Sequence, residues 1–130
     1  MPRLEDVLAD LAGVTGARAA AFAGLDGLLV DEVAAAGGAA ALGGVEATVD
    51  LDGAVVEFTH AWNALRRASA EHLGGGVAEE FVLAGPDGVV VARLVGGDWF
   101  ALLWADPDVD LATARAALAR AAEGLAEVVA

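Results

Sequence analysis

The sequence has no cysteine and no tyrosine, and all seven of its basic residues are arginine, so lysine is missing as well. Each gap removes a kind of chemistry. Without cysteine there is no disulfide framework, no thiolate nucleophile and no cysteine-ligated zinc or iron-sulfur centre. Without lysine there is no phosphate-loop lysine, no Schiff base and no kinase-type strand lysine, because each depends on that amine. Serine occurs once, at Ser69, and no histidine and carboxylate are spaced to activate it, which argues against a serine hydrolase. Isoleucine and glutamine are absent too, while Ala, Gly, Val and Leu abound, a bias of composition rather than a functional signal.

Positive charge is also scarce: seven basic residues face twenty acidic ones, for a net charge of −13. Phosphate backbones and acidic membranes are held by clustered cations, so neither nucleic acid nor membrane is expected as a partner, and another protein is. Hydrophobic residues make up 58% of the chain, but Gly, Asp or Glu interrupt the apolar runs well short of the roughly 20 residues a membrane span needs. The opening residues MPRLEDVLAD are acidic and lack an apolar core, so they do not read as a secretory leader, and a cytoplasmic location is expected. A length of 130 residues fits one domain, 1–130, with one core.

What the sequence does have is a long helical pattern. Over residues 51–73, LDGAVVEFTHAWNALRRASAEHL, the residues Leu51, Val55, Phe58, Trp62, Leu65 and Ser69 recur at steps of four and three and predict one buried stripe. Beside it Ala54, Ala61, Ala64 and Ala68 form a strip of small side chains that lets a second helix approach to about 8–10 Å between axes. Asp50 or Asp52 can cap the start, and Gly74 to Gly76 end the pattern.

Around this helix the chain reads in order. Leu4, Val7, Leu8 and Leu11 predict a short first helix. Residues 17–23 and 28–33 flank Leu25-Asp26-Gly27 as a hairpin, and residues 34–44, almost wholly Ala and Gly, predict a mobile connector. Residues 77–84, 89–95 and 99–105 form a three-strand meander, with Gly85-Pro86-Asp87-Gly88 and Gly96-Gly97-Asp98 as turns too short for parallel crossovers. Asp106 to Asp110 opens a final helix whose Leu111, Ala114, Leu118, Ala121, Leu125 and Val128 again repeat at three and four. The order is α-β-β-α-β-β-β-α. The expected fold is of the α+β type, a five-stranded antiparallel sheet with the long helix on one face and two helices on the other, since WFALLWA is apolar on both sides.

Candidate sites for small ligands fall away. His60 and His72 are twelve residues apart, about 18 Å along a helix, and cannot share a metal. Asp106, Asp108 and Asp110 imitate half a calcium loop, but Leu111 and Ala117 stand where its glycine and glutamate belong, so capping accounts for them better. Trp62, Trp99 and Trp104 read as core. No catalytic residue, cofactor or metal is expected, and the chain is not read as an enzyme.

The DG hairpin after the first helix, the PDG hairpin between strands three and four, and the DPDVDLATARAAL start of the last helix together resemble the roadblock/dynein-light-chain family, including its MglB-type bacterial members. The resemblance covers nearly the whole chain. It implies a profilin-like roadblock fold and a homodimer or heterodimer in which long helices pair and edge strands join the sheets, the homodimer being the form expected here. It also implies a platform for a small Ras-like GTPase, whose hydrolysis MglB-type members stimulate. On this chain the dimer seam would be Ala54, Ala61, Ala64 and Ala68. The partner face would carry Glu57, His60, Asn63, Arg66, Arg67 and Glu71. The competing expectation is a small-molecule-binding sensor domain of a signalling system, which needs a pocket that closely packed alanine helices leave little room for.

Overall fold

The computed structural model describes residues 2–35 and 50–130. Helix α1 (Leu4–Ala12) leads into strands β1 (Ala17–Gly24) and β2 (Leu29–Ala34). Helix α2 (Leu51–Ala68) runs on into a turn of π-helix (Ser69–Leu73). Strands β3 (Glu80–Gly85), β4 (Gly88–Val95) and β5 (Trp99–Ala105) follow, and helix α3 (Leu111–Val128) closes the chain. The connector expected over residues 34–44 lies, beyond Ala35, outside the described residues.

The strands form one antiparallel sheet in the order β2-β1-β5-β4-β3. Successive strand residues point to opposite faces, and in β5 both sets are apolar. Ala101 and Leu103 join Phe22, Val91, Leu8, Leu118 and Leu125 in a core beneath α1 and α3. Phe100 and Leu102 join Ala21, Ala92, Leu51, Val55 and Trp62 in a second core beneath α2. The expected layering, one long helix against two, is the one observed.

Local chemistry sets the helix starts. Asp50 Oδ1 accepts the Gly53 N–H at 2.9 Å, and Asp110 accepts both the backbone N–H and, at 2.9 Å, the hydroxyl of Thr113. Those bonds favour the ionised carboxyl and hold Asp110 below its ordinary pKa. The aspartates of 106–110 thus serve in part as a cap, as their spacing predicts.

Two expectations shift. The third strand begins at Glu80 rather than residue 77, because its ladder with β4 starts at the Glu80–Arg93 pair and the Ala78 carbonyl before it is taken by Trp62 of α2. The helix stripe is shorter than its pattern. Leu51, Val55 and Trp62 are buried and Phe58 packs beside them, but Leu65 is 53% exposed, and Thr59 takes a buried place the pattern did not assign. Past Trp62 the helix has outrun the sheet. The Thr59 hydroxyl is satisfied by donating to the Val55 carbonyl at 2.7 Å, so burial costs it little.

Close packing at the β3–β4 turn depends on Gly88. Any Cβ there would fall on the Trp104 ring. Gly88→Ala should therefore destabilise the fold by about 1–3 kcal/mol, as overpacking of a filled site does. Urea denaturation measures this, and an unchanged midpoint would show that the ring moves aside freely.

Candidate functional site

Helix α2 lies along one face of the sheet, and its side chains sort into a core line and two flanks. Trp62 fixes the phase: its ring meets Phe81 edge-on at 4.9 Å and Phe100 at 5.5 Å, and Phe58 lies 6.0 Å from Phe81. Phe81 belongs to β3, which among the described residues pairs only with β4 and so has one open edge. The flank bearing Phe58 therefore turns toward that edge. Leu65, seven residues or about two helical turns further on, lies on the same side. Of the four strip alanines, Ala54 is half-buried, and Ala61, Ala64 and Ala68 are exposed. Helices α1 and α3 sit on the opposite face of the sheet, so neither covers this strip. On β3, Val82 is 40% and Leu83 54% exposed. Small side chains, exposed leucines and an unpaired strand edge thus lie side by side.

The residues assigned to a partner divide between the two flanks. Asn63, Arg66 and Arg67 come together, with Ala70, Gly76 and Val77, around an open depression of about 450 Å³ at the end of α2. His60 and Glu71 are exposed on the outward crest. Glu57 is also exposed, but at roughly 100° per residue it falls among the strip alanines rather than beside Asn63. That separation of Glu57 from Asn63 is already contained in the helical period, and the buried ring of Trp62 confirms the direction from which it is measured.

Ion pairing sharpens the contrast. Four of the seven arginines face a carboxylate: Arg3 with Glu5, Arg18 with Asp106 at 2.7 Å, and Arg93 and Arg115 with Glu80 at 4.0 and 2.7 Å. The Glu80 hydrogen bonds hold Arg115 above its ordinary pKa. Among the described residues Arg66 and Arg67 have no carboxylate within 4.0 Å. Their position in the last turn complements the carbonyl end of α2.

Two clusters were not found from sequence. Glu80 ties the start of β3 to α3 through a bidentate contact with Arg115. Arg18 joins Asp106, the Asp87 carbonyl at 2.8 Å and the face of Trp104 at 5.2 Å, clasping two loops and strand β5. Both span dozens of residues, and only the sheet register brings their members together. Among the described residues no His, Asp and Glu group is arranged to hold a metal, and no described helix is long and apolar enough to cross a membrane.

The five-stranded antiparallel sheet with one long helix on one face and a helix pair on the other has the roadblock fold. Solved structures with this fold include Myxococcus xanthus MglB, which is 13% identical at a TM-score of 0.81, with 97% of this chain and 94% of that one covered. A roadblock/LC7 domain from Streptomyces avermitilis is 14% identical at 0.81, with 98% of both chains covered. An MglB with a tetrameric arrangement is 23% identical at 0.81, with 97% and 87% covered. No protein-family model and no curated protein matches the sequence.

One hydrogen bond frames the depression from below: Trp62 Nε1 donates to the Ala78 carbonyl at 3.1 Å, tying the chain after Gly76 back to α2. Trp62→Phe keeps a ring and loses this bond, so stability should fall by about 0.5–1.5 kcal/mol beyond the change in packing. The bond is isolated by replacing Trp62 with 3-benzothienylalanine, which keeps the bicyclic shape and puts sulfur in place of the N–H. Guanidinium denaturation should show a loss of about 0.5–1.5 kcal/mol, and an unchanged midpoint would mean that the bond is idle.

Proposed function

We propose that this chain is a non-catalytic cytoplasmic platform, dimeric through α2 and β3, that binds and regulates a small Ras-like GTPase. The observation that carries the reading is the uncovered flank of α2, where Ala61, Ala64, Ala68 and Leu65 lie beside the open edge of β3. Such a surface suits a second copy, which can bring its own α2 against the alanines and its own β3 to the strand edge. An interface of ordinary size would bury roughly 1,200–2,000 Å² in total. The tetrameric arrangement described for one MglB of this fold accords with self-association.

The GTPase comes from the family resemblance. The surface offered to it is the outward face of α2, centred on Asn63, Arg66 and Arg67, with His60, Glu71 and, near the seam, Glu57 around it. Arginine is suited to planar, bidentate contact with carboxylates, and these two are free of internal partners among the described residues. Neither is a catalytic finger. A finger must project to the transferring phosphate from a loop, whereas these side chains stand on regular helix one turn beyond the buried Trp62. Stimulated hydrolysis would therefore work by ordering the GTPase's own switch segments. A small-molecule sensor draws less support. The most apolar depression, about 230 Å³ between Leu51, Phe58, Val90 and Trp104, is smaller than ordinary ligand pockets.

The dimer is tested by light scattering on the wild type, Ala61→Arg and Ala64→Glu. The wild type should be dimeric and the variants monomeric, because a charge in an apolar helix contact costs several kcal/mol. Variants that stay dimeric with unchanged thermal stability would remove the seam from α2. The docking face is tested by pull-down of the small GTPases of the same genome, loaded with GDP or a GTP analogue. Arg66→Glu with Arg67→Glu should weaken capture by about 2–5 kcal/mol and leave the dimer intact. If the wild type captures none of them in either state, the GTPase reading fails, and capture unaffected by the double reversal would move the site elsewhere.

A further inference from the structure

We propose that Ser69 is a phosphoacceptor for an arginine-directed serine/threonine protein kinase, and that its phosphorylation withdraws Arg66 from the partner face. The first half stands alone, and the second rests on the docking role of Asn63, Arg66 and Arg67.

Ser69 is the only serine in the chain, with Arg66 and Arg67 three and two residues before it. No threonine of the chain has an arginine at either of those positions. A kinase whose substrate groove is acidic recognises such a pair by charge, and both guanidiniums are free of carboxylates among the described residues.

A helical serine must leave its helix to enter that groove, and the structure makes the exit easy here. Ser69 is where α2 gives way to the wider π turn, and Gly74 ends that turn in the left-handed region at φ 62°. From Ala70 to Val77 every residue is exposed, Leu73 as much as 81%, and none belongs to either core. The hydroxyl of Ser69 makes no side-chain hydrogen bond among the described residues, and its carbonyl accepts only the Gly75 N–H at 3.1 Å outside the helix. A segment with so few buried contacts opens at little cost while the sheet and the first four turns of α2 stay folded.

In the transfer, Ser69 Oγ attacks the γ-phosphorus of ATP. The new O–P bond forms as the bond to the β-phosphate oxygen breaks, the hydroxyl proton goes to the kinase's base, and ADP leaves. The product carries about −1.5 to −2 charges at pH 7. Arg66 lies one turn back on the same side of the helix, within reach of that phosphate. The pair occupies the guanidinium the partner face relies on, and the phosphate sits at the carbonyl end of the helix, where the dipole opposes it and loosens the turn.

The test incubates the full chain with ATP and the catalytic subunit of cyclic-AMP-dependent protein kinase, followed by intact-mass measurement and peptide mapping. The expected result is a gain of one phosphoryl group at Ser69, none in Ser69→Ala, and an initial rate reduced about tenfold or more in Arg66→Ala with Arg67→Ala. No incorporation, incorporation that persists in Ser69→Ala, or a wild-type rate in the arginine variant would overturn the site. GTPase pull-down with the phosphorylated protein should then retain at most about a tenth of the unphosphorylated capture. Equal capture would overturn the switch. If the unphosphorylated chain captures no GTPase, the switch falls together with the docking reading, while the mass result decides the site by itself.

Discussion

Strand β5 carries apolar side chains to both faces of the sheet, and the rest of the architecture is a response to that. A strand of this kind cannot sit at an edge or face water on either side. It lies in the middle, between β1 and β4, with Phe100 and Leu102 under α2 and Ala101 and Leu103 under α1 and α3. The edge places fall to β2, which alternates half-buried and exposed positions, and β3, which exposes most of its side chains. Removing one helix layer would leave half of β5 in water.

The surfaces available for function follow from how that cover is achieved. Helix α2 is longer than the sheet it protects, so its first two thirds are fixed by Leu51, Val55, Thr59 and Trp62, and its last third presents side chains to solvent on nearly all sides. The flank toward β3 is small and apolar, and the flank away from it holds two arginines without internal partners among the described residues. In a chain of net charge −13 that local excess of positive charge gives one surface a sign different from the rest. One helix thus offers a surface suited to self-association and another suited to an acidic contact, both held by the same core line.

Stability is reinforced where the sheet would otherwise fray. Glu80 anchors the first residue of edge strand β3 to Arg115 on α3, and Arg18 clasps the β3–β4 turn and the β5–α3 loop against Trp104. These contacts are half-exposed, so their value lies in fixing geometry more than in net energy.

Element order, the antiparallel meander, the aspartate-rich helix starts and the two-sided central strand were legible in the sequence, because these depend on side-chain period and turn chemistry within a few residues. The sequence also supplied the composition of both flanks of α2 and the isolation of Ser69 behind two arginines. The tertiary fold settled where the buried line of α2 stops and which flank it leans to, because a period of 3.6 aligns Leu51, Val55 and Trp62 but does not say where the sheet ends beneath them. The end of the sheet exposes Leu65, a slight lean buries Thr59, and the chain at Gly76 and Val77 gathers Asn63, Arg66 and Arg67 around one depression. The long-range pairs of Glu80 with Arg115 and of Arg18 with Asp106 were decided there too. Their members are separated by 35 and 88 residues, and the ladder that aligns them exists only once the chain has folded.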